Sequence, residues 1–406
     1  MITLKPFAAL RPQTALAAAV ASRPYDVLNS QEAAEEAQGN PHSFLHVTKA
    51  EIDLPSGTDL HSQAVYDKAK ENLDAMVRKD LLFQESKPCY YLYELVMNGR
   101  SQTGLVALSS VNDYHNDRIK KHEFTRPQKE KDRIDHMRTV RAQTGNVFLA
   151  YREVNDMDRL VEEWKKSHSP IYDFTANDGV EHRVWVVDRR ETVDQITAIF
   201  LEKVPATYIA DGHHRAASAA KVAAALPDSE DAKFFLTTLF PADQLAILDY
   251  NRVVKDLNGH SEGDLLKALE EDFLITQENE PVRPNQLHAF GMYLNKKWYR
   301  LQAQPGTWTE DPIGILDVSI LSDRVLDKLL GVRDQRTDTR IDFVGGIRGL
   351  GELMKRVDSG DMAIAFSLYP VSIHQLFDIA DSGSVMPPKS TWFEPKLRDG
   401  LLTHLI

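Results

Sequence analysis

The chain has 406 residues, with 60 acidic against 48 basic side chains and a single cysteine, Cys89. That length exceeds one ordinary domain, so two lobes with ample core are expected, and the net charge of -12 repels nucleic acid unless a local basic patch overrides it. One cysteine cannot close an internal disulfide, no charged and apolar leader opens the chain, and no apolar run reaches about 18 residues. These features predict a soluble cytoplasmic protein with no membrane partner.

Met1 to Pro12 reads as a strand and a turn. In Arg23-Pro24-Tyr25-Asp26-Val27 the Asp26 carboxylate sits between apolar residues just ahead of a helix, where the backbone could hold a general base; a plain turn carboxylate is the alternative. A helix is expected from Ser30, as N-cap, to Gly39, and a longer amphipathic one over Ser62 to Leu81. Pro88 to Asn98 and Gly104 to Ser109 read as a hairpin joined by Gly99-Arg100-Ser101. Pro127 fits the first position of a further helix, capped by Thr125 or Arg126, on which Lys129, Arg133 and His136 share a cationic face. His122-Glu123 lies just ahead as an acid/base pair. The opposite charges Glu130, Asp132 and Asp135 could equally make this an ordinary ion-paired helix.

The most informative stretch is Tyr208-Ile209-Ala210-Asp211-Gly212-His213-His214-Arg215, followed by an Ala-rich run. It predicts a strand, a tight turn and a helix N-terminus. Such a start offers unpaired N–H groups and the positive end of the macrodipole, and with His213, His214 and Arg215 phosphate is the natural ligand. Gly212 allows positive φ or close backbone approach, and Asp211 can cap the turn or help hold a cation. Read as metal ligands, the adjacent His213 and His214 diverge by about 100°, too far to grip one ion readily.

Strands are also expected over Val184 to Val187, Phe234 to Leu239 and Ala246 to Val254, then a helix to Asp272 and a hairpin around Asn295-Lys296. The fold class is therefore α+β with a mixed sheet, divided at residue 260 into a lobe over 1–260 and a second α+β lobe over 261–406. Near the C-terminus, Met386 to Lys396 is a Pro-stiffened loop carrying Lys389, Ser390 and Thr391, suited to closing over a ligand; a packed approach to a terminal strand is the alternative.

Lys5-Pro6-Phe7, Arg11-Pro12, Pro24-Tyr25-Asp26-Val27, Asn40-Pro41, Glu51-Ile52-Asp53-Leu54-Pro55, His122-Glu123, Thr125-Arg126, Asp211 to Arg215 and Met386 to Lys396 together resemble the bacterial family filed as domain of unknown function ten-fifteen. That family is remotely similar to free serine kinases of the ParB/sulfiredoxin-like fold. The resemblance implies a ParB/sulfiredoxin-like nucleotide-binding lobe in which Asp211, Gly212, His213, His214 and Arg215 hold nucleotide phosphates. It also implies a carboxylate base in the N-terminal part, where the serine kinases use Glu. Asp26 is the candidate, with Glu32, Glu35 or Glu123 as other counterparts.

The reading that follows is phosphoryl transfer on a small hydroxyl metabolite, as an L-serine kinase or, in reverse, a phosphoserine phosphatase, with ATP or ADP and Mg²⁺ as cofactors. Asp26, His122 and Glu123 would be catalytic, Asp211 would also help hold the metal, and Arg126, Lys389, Ser390 and Thr391 would bind substrate. Serine or phosphoserine and the nucleotide are the partners, and a homo-oligomer is compatible with all of this. A nucleotide-binding switch of ParB type and a metal-dependent hydrolase are the competing classes.

Overall fold

A computed structural model describes residues 1–125 and 127–406; Arg126 lies outside the described residues. The chain divides into two compact units, unit 1 being Met1–Leu245 with Pro395–Ile406 and unit 2 being Ala246–Glu394. Both are mixtures of helix and sheet, as expected.

Unit 1 is built on a nine-stranded mixed sheet. Its strands in chain order are β1 (Leu4–Lys5), β2 (Tyr90–Met97), β3 (Arg100–Ser110), β4 (Ile119–Lys120), β5 (Val147–Tyr151), β6 (Tyr172–Thr175), β7 (Glu181–Val187), β8 (Thr207–Asp211) and β9 (Phe234–Pro241). They lie in the order β4-β8-β5-β9-β3-β2-β7-β6, with β1 beside β3. Apolar side chains such as Leu92, Leu105, Leu149, Ile209 and Phe235 form the core between this sheet and its helices. The β2–β3 turn is Asn98-Gly99, with φ of 53° and 76°, one residue earlier than expected because Arg100 already pairs with Met97.

Five longer helices accompany the sheet: α1 (Gln63–Arg78), α2 (Pro127–Val140), α3 (Asn155–Ser167), α4 (Arg190–Lys203) and α5 (His213–Ala225). The small side chains Ala216, Ala217, Ala219 and Ala220 are buried on α5, so α2 can approach until Ser218 Oγ donates to the Glu130 carbonyl at 3.2 Å. The short helix Ser30–Ala37 is capped by Asn29 rather than Ser30, through a capping box with Glu32. The expected cationic face of α2 is only partly in solvent: Lys129 is exposed, but its two companions are covered. His136 is buried and its Nε2 lies 3.1 Å from the Val47 carbonyl, and Arg133 packs over the Tyr25 ring at 3.9 Å.

Unit 2 holds a six-stranded antiparallel sheet made of β10 (Tyr250–Val254), β11 (Phe273–Glu278), β12 (Ala289–Leu294), β13 (Lys297–Ala303), β14 (Ile341–Gly345) and β15 (Ile364–Leu368), in the order β11-β13-β12-β15-β10-β14. Its helices include α6 (Glu262–Leu269), α7 (Gly349–Asp358) and α8 (Ile373–Asp381). The division falls after Leu245 rather than at residue 260, because β10 ladders with β14 and β15. The last twelve residues return to unit 1, where Leu10 bridges Thr403, Ser22 bridges Asp399 and His404 pairs with Gln143.

That return depends on Gly400, at φ +88°, where a Cβ would sit 2.6 Å from Phe44 Cγ; Gly39, at φ +74°, has open space around it. Gly39→Ala should cost about 1 kcal/mol for the left-handed backbone, and Gly400→Ala about 2 kcal/mol more for overpacking. Urea unfolding checks both. Equal costs at the two sites would contradict the placement of the C-terminal segment.

Candidate functional site

The ladder between β8 and β5 pairs Ile209 with Leu149 and then Asp211 with Phe148, so Ala210 is an extra residue. A bulge of this kind re-aims the side chain that follows it. Gly212 then takes φ +97° as the residue before α5, a conformation open to glycine. A Cβ on Gly212 would also stand 3.1 Å from Arg215 Nε and 3.4 Å from Val147 Cα, so the backbone favours glycine here and a side chain would crowd Arg215.

Three distant segments meet this turn. Arg215 Nη2 lies 3.3 Å from Asp211 Oδ2 and 3.5 Å from Asp26 Oδ2, while its Nη1 donates to the Asn146 carbonyl. The Asp26 carboxylate is one-third exposed, and among the described residues Arg215 is its hydrogen-bond partner. His122 and His213 meet edge to face with ring centroids 4.5 Å apart, and the His122 backbone N–H points to His213 Nε2 at 3.5 Å. His213 Nδ1 stands 3.8 Å from Glu123 Oε2. Lys396, from the returning C-terminus, lies 3.3 Å from Asp211 Oδ2.

Beneath them Asp399 is buried, and its carboxyl accepts the Tyr25 backbone N–H. Arg133 braces the same turn, stacked on Tyr25 and paired with Asp132 at 2.6 Å. Behind Arg215 lies a cavity of about 30 Å³, lined in part by Tyr25, Arg133, His136 and Gly145. It has room for about two waters. That is too small for a nucleotide, and the carboxylates of Asp26, Glu123 and Asp211 each keep part of their surface in solvent.

The sequence-predicted residues Asp26, His122, Glu123, Asp211, Gly212, His213 and Arg215 are thus brought together, and the half-buried His214 follows on α5. Arg215 is 7% exposed and its fork is engaged by Asn146 and two carboxylates, which makes it the tie of the site rather than a solvent-facing donor. Lys389, Ser390 and Thr391 belong to unit 2, where Ser390 Oγ donates to the Pro387 carbonyl at 2.7 Å. Lys396 and Asp399 were not picked out as site residues. In the sequence Lys396 is marked only as the last residue of the Met386 to Lys396 loop, and Asp399 carries no signal.

Asp211 titrates well below the usual carboxylate range; burial alone would raise it, but Lys396 and Arg215 outweigh that. With Oδ2 already between two cations, Asp211 is a poor ligand for a divalent ion. Among the described residues, no three His, Cys, Asp or Glu side chains are grouped to hold a metal. Burial holds His122 at about 4, His136 at about 4 and His182 at about 3, and lowers His213 well below 6.5 through burial and then the neighbouring His122. Burial pushes Asp399 up to about 8, although Arg215 pulls the other way.

The family model described as Protein of unknown function (DUF1015) matches residues 4–319, more than three-quarters of the chain, so the chain belongs to that family. No curated protein matches it. Among solved structures, a free serine kinase in complex with AMP is 14% identical over 70% of this chain and 89% of its own, with a TM-score of 0.37. A conserved hypothetical protein from Pyrococcus furiosus is 14% identical over 70% and 91%, TM-score 0.37. SbnI from Staphylococcus aureus, truncated at its C-terminus, is 11% identical over 74% and 87%, TM-score 0.38. At these scores the likeness carries no functional weight. No helix among the described residues is long and apolar enough to cross a membrane.

The buried groups set opposite slopes of stability with pH. Below about 6.5 the unfolded histidines take up protons that the folded ones refuse, so stability is lost as pH falls from 6.5 toward 4. Folded Asp399 keeps a proton that the unfolded chain releases above 3.8, so its contribution declines as pH rises toward 8. Four histidines outweigh two carboxyls on the acid side, Asp399 and Asp317, the latter pushed up by burial to about 7, which places the maximum near 6.5. Chemical unfolding across pH 4 to 9 should show a decline above the maximum of up to about 1 kcal/mol per pH unit, largely absent between pH 7 and 8 in Asp399→Asn. The same alkaline decline in that variant would contradict a protonated, buried Asp399.

Proposed function

We propose that this member of the DUF1015 family is a phosphoryl-transfer enzyme with its site in unit 1. It would move phosphate between ATP or ADP and a small hydroxyl metabolite, free L-serine or, in reverse, phosphoserine. The observation that carries the reading is the convergence of the Asp26 turn, His122-Glu123 and Lys396 on the glycine-led start of α5.

Each part has a role in this scheme. The start of α5 and Lys396 receive phosphate oxygens, where fixed N–H groups and a cation stabilise charge as it shifts to the leaving oxygen. Asp26 is held through one oxygen by Arg215 and is one-third exposed, so it takes the proton from the substrate hydroxyl as that oxygen attacks phosphorus. Neutral His213 fixes the His122-Glu123 loop beside them. Arg215 is a positioning residue, holding Asp26 and Asp211 in one geometry. Mg²⁺ belongs to this scheme as an ion carried on the nucleotide phosphates, and no step is assigned to a metal on Asp211. The ParB/sulfiredoxin-like assignment of unit 1 is part of the same proposal.

Incubating the full chain with serine, ATP or ADP and Mg²⁺ should yield phosphoserine by ³¹P NMR, or phosphoserine should release serine in the reverse direction. Asp26→Asn should lower kcat by about 10²- to 10⁴-fold with little change in KM. If no interconversion occurs with either nucleotide, the enzymatic reading is lost and ligand binding alone remains to be explained.

A further inference from the structure

Unit 2 holds a buried cation that the unit 1 scheme does not use. Arg252 of β10 is fully buried on the sheet face it shares with Tyr250 and, across the ladder to β14, with Phe343. Its Nη1 donates to the Tyr250 carbonyl, its Nη2 donates to the Pro388 carbonyl at 3.2 Å, and its Nε has no partner. Among the described residues it makes no ion pair, and a buried charge left uncompensated destabilises a fold.

The unsatisfied part is one edge of the guanidinium. Nε and Nη2 donate in parallel, and this is the edge that grips a carboxylate side-on. Two other arginines of the chain use it in that way. Arg11 Nε and Nη2 lie 2.7 and 2.6 Å from Glu85 Oε1, and those of Arg133 lie 2.8 and 2.6 Å from Asp132 Oδ2. In Arg252 the same edge meets a single neutral carbonyl.

A strained turn holds that carbonyl in place. Pro387, Pro388, Lys389 and Ser390 form a tight turn, across which Ser390 Oγ donates to the Pro387 carbonyl at 2.7 Å. Proline keeps φ negative at the second position while Lys389 takes φ 59° at the third, a type II combination that favours glycine there. Lys389 is exposed, with its Nζ 5.7 Å from the Tyr250 ring centre. Rotating the Pro388–Lys389 peptide by half a turn gives a type I turn and returns Lys389 to negative φ. The same rotation carries the Pro388 carbonyl away from Arg252 and directs the Lys389 N–H to the place it leaves.

We propose that this peptide gates an oxyanion site in unit 2, where the carboxylate of a small organic acid takes the Nε and Nη2 edge of Arg252 and accepts the Lys389 N–H. The solvated Lys389 ammonium stands on the outer side. One buried positive charge matches one carboxylate, whereas a phosphate dianion would leave negative charge buried without a partner.

Hydrogen–deuterium exchange on the full chain, with acetate as the probe and chloride keeping the ionic strength constant, tests this at the turn itself. Exchange over Lys389 to Thr391 should slow by roughly tenfold when acetate is at about ten times its dissociation constant. Arg252→Met should abolish the slowing and melt no lower than the parent, because it removes an uncompensated buried charge. Lys389→Gly and Lys389→Met test the gate without touching the core. Both lack the ammonium, but glycine alone relieves the left-handed turn, so Lys389→Gly should bind acetate roughly tenfold more weakly than Lys389→Met. Equal affinities in that pair overturn the gate. No slowing with acetate overturns the site, as does a slowing that survives in Arg252→Met or one produced by inorganic phosphate and not by acetate. These readouts are local to unit 2, so loss of the unit 1 reading leaves them intact.

Discussion

The turn that leads into α5 is organised by one buried guanidinium. Arg215 ties the strand end at Asp211 to the turn at Asp26 and is itself anchored on Asn146, with Asp399 packed beneath. The Asp211 carboxylate and the Arg215 guanidinium can remain in such a place only together, because each alone would bear the desolvation cost of a buried charge. The result is a fixed geometry between residues almost two hundred positions apart in the chain.

The local chemistry of this centre was legible in the sequence. Asp211-Gly212-His213 predicted a strand, a turn and a helix start, and the structure adds the bulge at Ala210 that aims the aspartate. Pro127 at the first helical position and the Asn295-Lys296 hairpin followed from backbone preferences that act within a few residues. Chain-distant pairing was not legible. Nothing in the periodicity of Lys396 to Gly400 signals a partner in β8 or at Ser22, and the spacing of Lys129, Arg133 and His136 did not show that Tyr25 covers the second and Val47 the third. Helical spacing reports which residues share a face, and not what that face meets.

The same gap explains Arg215. Its place on a helix start suggested a phosphate donor, whereas two carboxylates occupy the fork. One of them, Asp211, lies four residues earlier and is a helical neighbour; the other comes from the far N-terminal part, which the sequence could not connect to it.

Free-energy coupling between Asp26 and Arg215 tests the central claim most directly. Arg215→Met alone should destabilise the chain by about 3 to 5 kcal/mol, because it strands two carboxylates. Adding Asp26→Asn and Asp211→Asn should recover much of that loss, with an interaction energy of about 1 to 3 kcal/mol in the mutant cycle. If the three substitutions are simply additive in urea unfolding, Arg215 does not tie these segments together, and the site as described here does not exist in solution.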